Sequence, residues 1–283
     1  MTVTESIRPP RSISQLKNYT KCGEAYRLEK FHRDQLPKSP AAWTISGSAL
    51  HEAYETWERS DRSGSLADQF VPVFDRMIEE AKVEQPDLRY WQKPPRTKSV
   101  EQDIKNHRKR FIERDAPNYE VRCRESEWEI LRLEDGELAL ELQFEMTLGN
   151  SVVRGAIDKV QWWPKEEHVT IEDLKTGSPE NAEYDQRQLG VYGLAIQELL
   201  GINPKFGRYW FTKVDRGSAW FNLGKYTHGY FEKEFELLNR AVEQELFFAN
   251  PGKGCDLCSV KPWCKEKGWL ELGQPLFAEE EVS

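Results

Sequence analysis

Gly155-Ala-Ile-Asp158-Lys-Val-Gln-Trp-Trp163-Pro-Lys165-Glu166-Glu-His168-Val-Thr-Ile-Glu172-Asp173-Leu174-Lys175-Thr176-Gly177 reads as two strands joined by a short polar turn. A turn symmetric about Lys165-Glu166 sets Trp163 opposite His168 and Asp158 opposite Asp173. Directly opposed residues of an antiparallel pair share a face with Cβ atoms roughly 5 Å apart, and like charges there weaken the sheet. Something positive is therefore expected between them. Lys175 projects from the same face as Asp173, across from the small Ala156. Two carboxylates and a lysine suit a hard divalent cation, Mg²⁺ or Mn²⁺, with the lysine beside an attacking water. A solvated outer strand with Asp173–Lys175 as a surface pair is the plainer reading of the same pattern.

Outward from this hairpin the texture is consistent. From Tyr119 onward residues alternate, giving strands over 127–133, Leu138–Leu148, Val152–Trp163 and His168–Lys175, with turns at Asp135-Gly136 and Gly149-Asn150. A helix from about Asn181 to Leu200, a strand through Tyr209, a hairpin strand at Trp220-Phe221 and an amphipathic helix over Tyr230–Phe248 complete that half. The first third reads as helices: one from Ser12 to about Phe31, one carrying Gly47 and His51, and two over Leu66–Glu80 and Val100–Glu113. The expected fold is α/β (mixed α+β), a central mixed β-sheet flanked by helices. We divide the chain into a mainly helical part, 1–118, a core sheet and helix, 119–225, and a C-terminal part, 226–283, together one compact domain.

With 283 residues and 38% hydrophobic content the chain can bury a real core. No leader and no run of the roughly 20 apolar residues a bilayer span needs can be read, so a soluble, cytoplasmic protein without membrane contact is expected. Forty Lys+Arg against 48 Asp+Glu, a net charge of −8, speak against an electrostatic coat for nucleic acid but not against a local basic cleft.

Two further sets extend the hairpin. His51 follows the small residues Gly47 and Ala49 on its helix and offers a nitrogen ligand. Gln188 and Tyr192 stand at i and i+4 on the helix after Asp173. In order, Gly47-x3-His51, Gly155-x-Ile-Asp158, Asp173-x-Lys175 and Gln188-x3-Tyr192 resemble the PD-(D/E)XK nuclease superfamily in its RecB-like branch. The resemblance covers residues 12–195 and implies a restriction-endonuclease-like core. It also implies His51, Asp158, Asp173 and the Leu174 carbonyl as metal ligands, Lys175 as catalytic with the two acids, and Gln188 and Tyr192 as support or DNA contacts. Ile157, where the family name has proline, and Asp173, where many members have Glu, are departures that the RecB-like branch tolerates.

Of five cysteines, Cys255, Cys258 and Cys264 lie within ten residues, a spacing that suits one metal centre. Cys22 and Cys123 are the candidates for a fourth ligand. The segment Tyr19-x2-Cys22-x3-Tyr26 resembles iron–sulfur nucleases of this superfamily, the CRISPR-associated exonucleases included, and implies Cys22 as that ligand and a [4Fe–4S] cluster clasping the chain ends. Structural Zn²⁺ suits the same four thiolates.

Residues 1–40 and 93–115 each hold eight Lys/Arg against four Asp/Glu, and Trp43 and Trp91 are stacking candidates. These features, with the resemblance, predict a metal-dependent exonuclease acting on single-stranded DNA ends, 5′→3′ by family resemblance. Its role would lie in recombination, repair or processing of DNA. No Gly-x4-Gly-Lys-Ser/Thr motif is present, so unwinding falls to a helicase or recombinase partner. A non-catalytic iron–sulfur DNA-binding subunit and a CRISPR-adaptation nuclease are the rival readings.

Overall fold

The computed structural model describes residues 8–177 and 185–264. Ser12 caps α1 (Ile13–Lys21) through its side chain, and α2 (Gly23–Phe31) follows after Cys22 alone. The single helix expected over this stretch is broken because Cys22 is extended, at φ −162° and ψ 108°. Gly23 then lies so near the chain that a Cβ on it would sit 2.9 Å from the Phe248 nitrogen, while Glu24 N–H donates to Phe248 O at 3.2 Å. The break is therefore imposed by docking on the segment after the last helix, which propensity does not record.

Next come α3 (Ala42–Arg59), α4 (Leu66–Glu84), α5 (Val100–Arg110) and α6 (Ala116–Glu125), the last two joined by a π-helical turn over Phe111–Asp115. The alternation expected from Tyr119 begins only at β1 (Glu129–Ile130): Tyr119 and Cys123 are buried on the inner face of α6. Then follow β2 (Leu140–Leu148), β3 (Ser151–Trp163), β4 (His168–Lys175), α7 (Gln186–Leu200), β5 (Phe206–Phe211), β6 (Arg216–Gly217), β7 (Phe221–Asn222) and α8 (His228–Glu243). The expected start of α7 at Asn181 and the acidic tail at Glu279 lie outside the described residues. The last helix ends at Glu243 rather than Phe248, and Glu245 follows with φ 53°.

All seven strands form one mixed sheet in the order β1-β3-β4-β5-β6, with β2 also on β3 and β7 also on β5. The hairpin register runs as expected from Trp163↔His168 to Lys159↔Glu172, where the β3–β4 ladder stops. On its other edge β4 pairs in parallel with β5 from Thr170↔Phe206 to Lys175↔Phe211; the pairing expected between Lys175 and Ala156 is not made, and Ala156 pairs with Gln143 of β2. The helix α7 supplies the crossover that a parallel pair requires.

Helices cover both faces. Ile13, Leu16, Ile157, Leu189, Phe231 and Phe235 belong to one core, which takes in α1, α7 and α8. Leu50, Phe70, Phe74, Phe111, Tyr119 and Leu174 belong to the other, under α3–α6. The result is a three-layer α/β arrangement with the sheet in the middle. Among the described residues no helix is long and apolar enough to cross a membrane.

The sheet has one irregularity that matters. Leu140 packs under α3–α6, whereas Leu142, two residues on, packs in the other core. Strict alternation would keep both on one face. The change of face falls at Glu141, whose φ of 44° is left-handed and costs a non-glycine residue about 1–2 kcal/mol. On β3, Ile157 and Val160 likewise share a core although three residues apart. The two kinks are neighbours, because Leu140↔Lys159 and Leu142↔Ile157 bracket Glu141 and Asp158. Gly155 passes over the Phe144 ring, where a Cβ would come within 2.7 Å.

Candidate metal centre

The paired kinks turn Glu141 and Asp158 toward His51, which α3 holds above the sheet. His51 Nδ1 donates to Glu141 Oε1 at 2.8 Å and lies 3.7 Å from Asp158 Oδ2. Ligand atoms of His51, Glu141 and Asp158 all fall within 4.8 Å of one another. Asp158 Oδ2 also accepts from the Leu174 N–H at 2.7 Å. That bond explains why the ladder stops: the carboxylate occupies the place of a strand partner, so Asp158 meets the β4 backbone instead of facing Asp173 squarely.

Asp173, 1% exposed, sits at the next position on β4. Its Oδ2 is paired with Lys175 Nζ, and its Oδ1 accepts from Gln188 Nε2 at 2.8 Å. Gln188 Nε2 also donates to the Tyr192 hydroxyl at 2.8 Å. Thus His51, Asp158, Asp173, Leu174, Lys175, Gln188 and Tyr192 come together at one end of the sheet. The Leu174 side chain packs in the core under α3–α6, and its N–H is the main-chain group bonded to the site.

The electrostatics show a site short of positive charge. Burial and the Asp158 carboxylate push Asp173 up to about 6, against the pull of Lys175. Burial raises Asp158 as well, although His51 and Lys175 oppose it. Burial depresses His51, but Asp158 and Glu141 outweigh it and lift the imidazole to about 9. Burial lowers Lys175 and its two acid neighbours raise it by more. Glu141, Asp158 and Asp173 thus outnumber the Lys175 ammonium and the His51 imidazole beside them, a balance that a bound cation would offset. The donor set, carboxylate oxygens with one imidazole, fits Mg²⁺ or Mn²⁺.

Glu141 is the site residue that sequence reading missed. The Gly149-Asn150 turn carried the signal, since a hairpin closed there sets Glu141 opposite Asp158. Glu141→Gln keeps shape and removes one anion, and should weaken Mn²⁺ binding roughly 10- to 100-fold without unfolding the protein. Calorimetric titration of both proteins with Mn²⁺ checks this, and equal affinities would remove Glu141 from the ligand set.

The cysteines are arranged differently. Cys22 Sγ accepts from Asn250 N–H and Cys255 Sγ from Gly252 N–H, both at 3.4 Å. Burial raises the Cys258 thiol, with Glu29, Cys22 and Cys264 adding to the rise. The N-terminal cysteine and the late three thus share one region. Among the described residues no three of them bring their sulfurs within 4.8 Å of one another. Cys123 lies apart in the helical core, its thiol 3.5 Å from Glu58 Oε1 and pushed up to about 11 by burial.

An acid pair and lysine at the end of a mixed sheet, with a histidine donor from an overlying helix, form a candidate metal centre for phosphodiester chemistry. Residues 10–265 match the PD-(D/E)XK nuclease superfamily, and the chain belongs to that superfamily. It is similar to the Gene 69 protein of Mycobacterium phage D29, 30% identical over 93% of this chain and 98% of the relative. The Gene 69 protein of Mycobacterium phage L5 is 27% identical over 93% of this chain and 99% of its own length.

Proposed function

We propose that this nuclease is a Mg²⁺- or Mn²⁺-dependent DNA exonuclease of the RecB-like branch that acts on single-stranded ends in the 5′→3′ sense. The observation that carries the reading is the Asp158–Asp173–Lys175 set, with Asp173 buried and His51 and Glu141 around it. A divalent ion held there would supply Lewis-acid activation of water and of the scissile phosphate. His51, Asp158, Asp173, Glu141 and the Leu174 carbonyl would hold it. Lys175, kept protonated by Asp173 and Asp158, presents its Nζ–H groups to the attacking water and to the charge that builds on phosphate oxygen. Gln188, bridging Asp173 and Tyr192, fixes the rotamer of Asp173. Family resemblance supplies the polarity. Recombination, repair or processing of DNA, with a helicase or recombinase as partner, is the setting we infer.

The test is digestion of single strands labelled at the 5′ or the 3′ end, with Mg²⁺, Mn²⁺ or chelator. Metal-dependent release of the 5′ label first is expected. Intact ends from folded, metal-loaded protein that binds the strands would favour a non-catalytic subunit.

We further propose a [4Fe–4S] cluster on Cys22, Cys255, Cys258 and Cys264. The backbone N–H donors on two of the sulfurs support it, since such donors tune cluster thiolates. A cubane also sets its thiolates farther apart than a single zinc ion does. Because Cys22 and the late trio close nearly the whole chain, Cys258→Ala should lower stability by about 3 kcal/mol and activity with it. Visible absorbance, metal analysis and a melt measure this; an unchanged melt would remove the clasp, and one zinc per chain would replace the cluster.

A further inference from the structure

A groove of about 1060 Å³ is walled by α1 with Lys17 and Lys21, by the start of α3 with Trp43, by Arg187 of α7, and by Cys22, Cys255 and Cys258 of the proposed cluster. Trp43, Gly47 and His51 recur every four residues, so one face of α3 leads from the groove to the metal centre. At 1.5 Å per residue Trp43 stands about 12 Å along the helix from His51. Between them a Cβ on Gly47 would lie 3.7 Å from Thr176 Oγ1, which places this face against the end of β4, next to Lys175.

Lys17 is half-buried on the α1 wall of this groove, which Asp185 and Arg187 of the α7 end also line. Burial and the Lys175 ammonium hold it below the ordinary lysine value. Among the described residues no carboxylate lies at ion-pair distance from it. A half-buried ammonium on the groove wall without an ion-pair partner suits a mobile anion. A phosphodiester supplies that charge, and the indole at the far end offers a surface for the attached base.

We propose that this groove is the path of the substrate single strand, with Lys17 on a backbone phosphate and Trp43 stacked on a base upstream of the metal centre. The assignment rests on the nuclease reading above and adds the residues that hold the strand.

The experiment measures anisotropy of a fluorescein-labelled oligothymidine with Ca²⁺ in place of Mg²⁺, beside hydrolysis of the same strand in Mg²⁺. Lys17→Ala and Trp43→Ala should each weaken binding roughly 10-fold. Lys17→Ala should also reduce the slope of log affinity against log salt by about one. KM should rise while kcat at saturating DNA holds, and Trp43→Phe should recover most of the binding. Lys165→Ala, on the hairpin turn, should bind as wild type does. Lys17→Ala decides the question by itself where Trp43→Ala weakens the fold. If wild type hydrolyses the strand and both variants bind it equally well, the groove falls and the nuclease reading stands. If folded wild type neither binds nor hydrolyses it, both fall.

Discussion

Asp173→Asn should reduce DNA hydrolysis by about three orders of magnitude or more while the metal-free protein melts no lower than wild type. The loss follows because Asp173 is bonded to both Lys175 and Gln188, so one substitution removes a ligand, the counter-charge of the lysine and part of the second acid's field. The stability side has the opposite sign. A carboxyl lifted to about 6 by burial and by Asp158 binds its proton more tightly folded than unfolded. Its ionisation therefore weakens the fold as pH rises from its ordinary value near 4 through 6, and asparagine is free of that cost. Chelator-treated wild type should lose stability relative to the variant across that window. Melts at pH 4 and pH 7 with end-labelled digestion measure both halves. Near-wild-type hydrolysis would sink the site assignment, and a variant much less stable at pH 7 would sink the electrostatic account.

Glu172→Gln should be among the most damaging single changes to the fold, at about 3–5 kcal/mol, although Glu172 lies outside the metal centre. Glu172 is fully buried and pairs with Arg122 at 2.6 Å, Arg208 at 2.8 Å and Lys159 at 3.3 Å. Lys159 Nζ also donates to the Tyr119 hydroxyl at 2.5 Å, and Tyr119 donates to Glu58 at 3.1 Å. The Arg122 guanidinium stacks over the Trp210 ring, 3.5 Å from its centroid. One carboxylate thus ties α6 to β3, β4 and β5. Burial raises this carboxyl, but the three cations outweigh burial and hold it down to about 2. A depressed carboxylate stabilises above its ordinary value near 4.5 and loses that contribution as pH falls toward 2. The gap between wild type and variant should be full at pH 7 and shrink below pH 4.5. At roughly 3 °C per kcal/mol the melt at pH 7 should drop by about 10 °C. A drop of a degree or two would show that Arg122, Arg208 and Lys159 do not depend on this charge.

These two neighbours on β4 mark the division between chain and fold. The hairpin register was legible because a two-residue side-chain period and one short turn are local, so Trp163↔His168 and the Asp-x-Lys face follow from a few residues. The four-residue spacing of Gln188 and Tyr192 was legible for the same reason. The position of Glu141 opposite Asp158 was open to the Gly149-Asn150 turn, but its approach to His51 was not, because a left-handed backbone at Glu141 resets the alternation of β2. Glu172 carried no sequence signal of its own, because its three partners sit on α6, β3 and β5. Lys17 read as part of a general basic excess.

By itself the sequence determined the mixed α/β plan, the β3–β4 hairpin and the residue types of the acid–lysine set, since these depend on periodicity and turn chemistry within short spans. Only the tertiary structure decided which acids share the histidine, where the helix breaks at Cys22, and which carboxylate holds the buried cations. Those outcomes depend on contacts between residues distant in the chain, where desolvation and the absence of water make one pairing far more favourable than the alternatives, and no local pattern encodes which partner that will be.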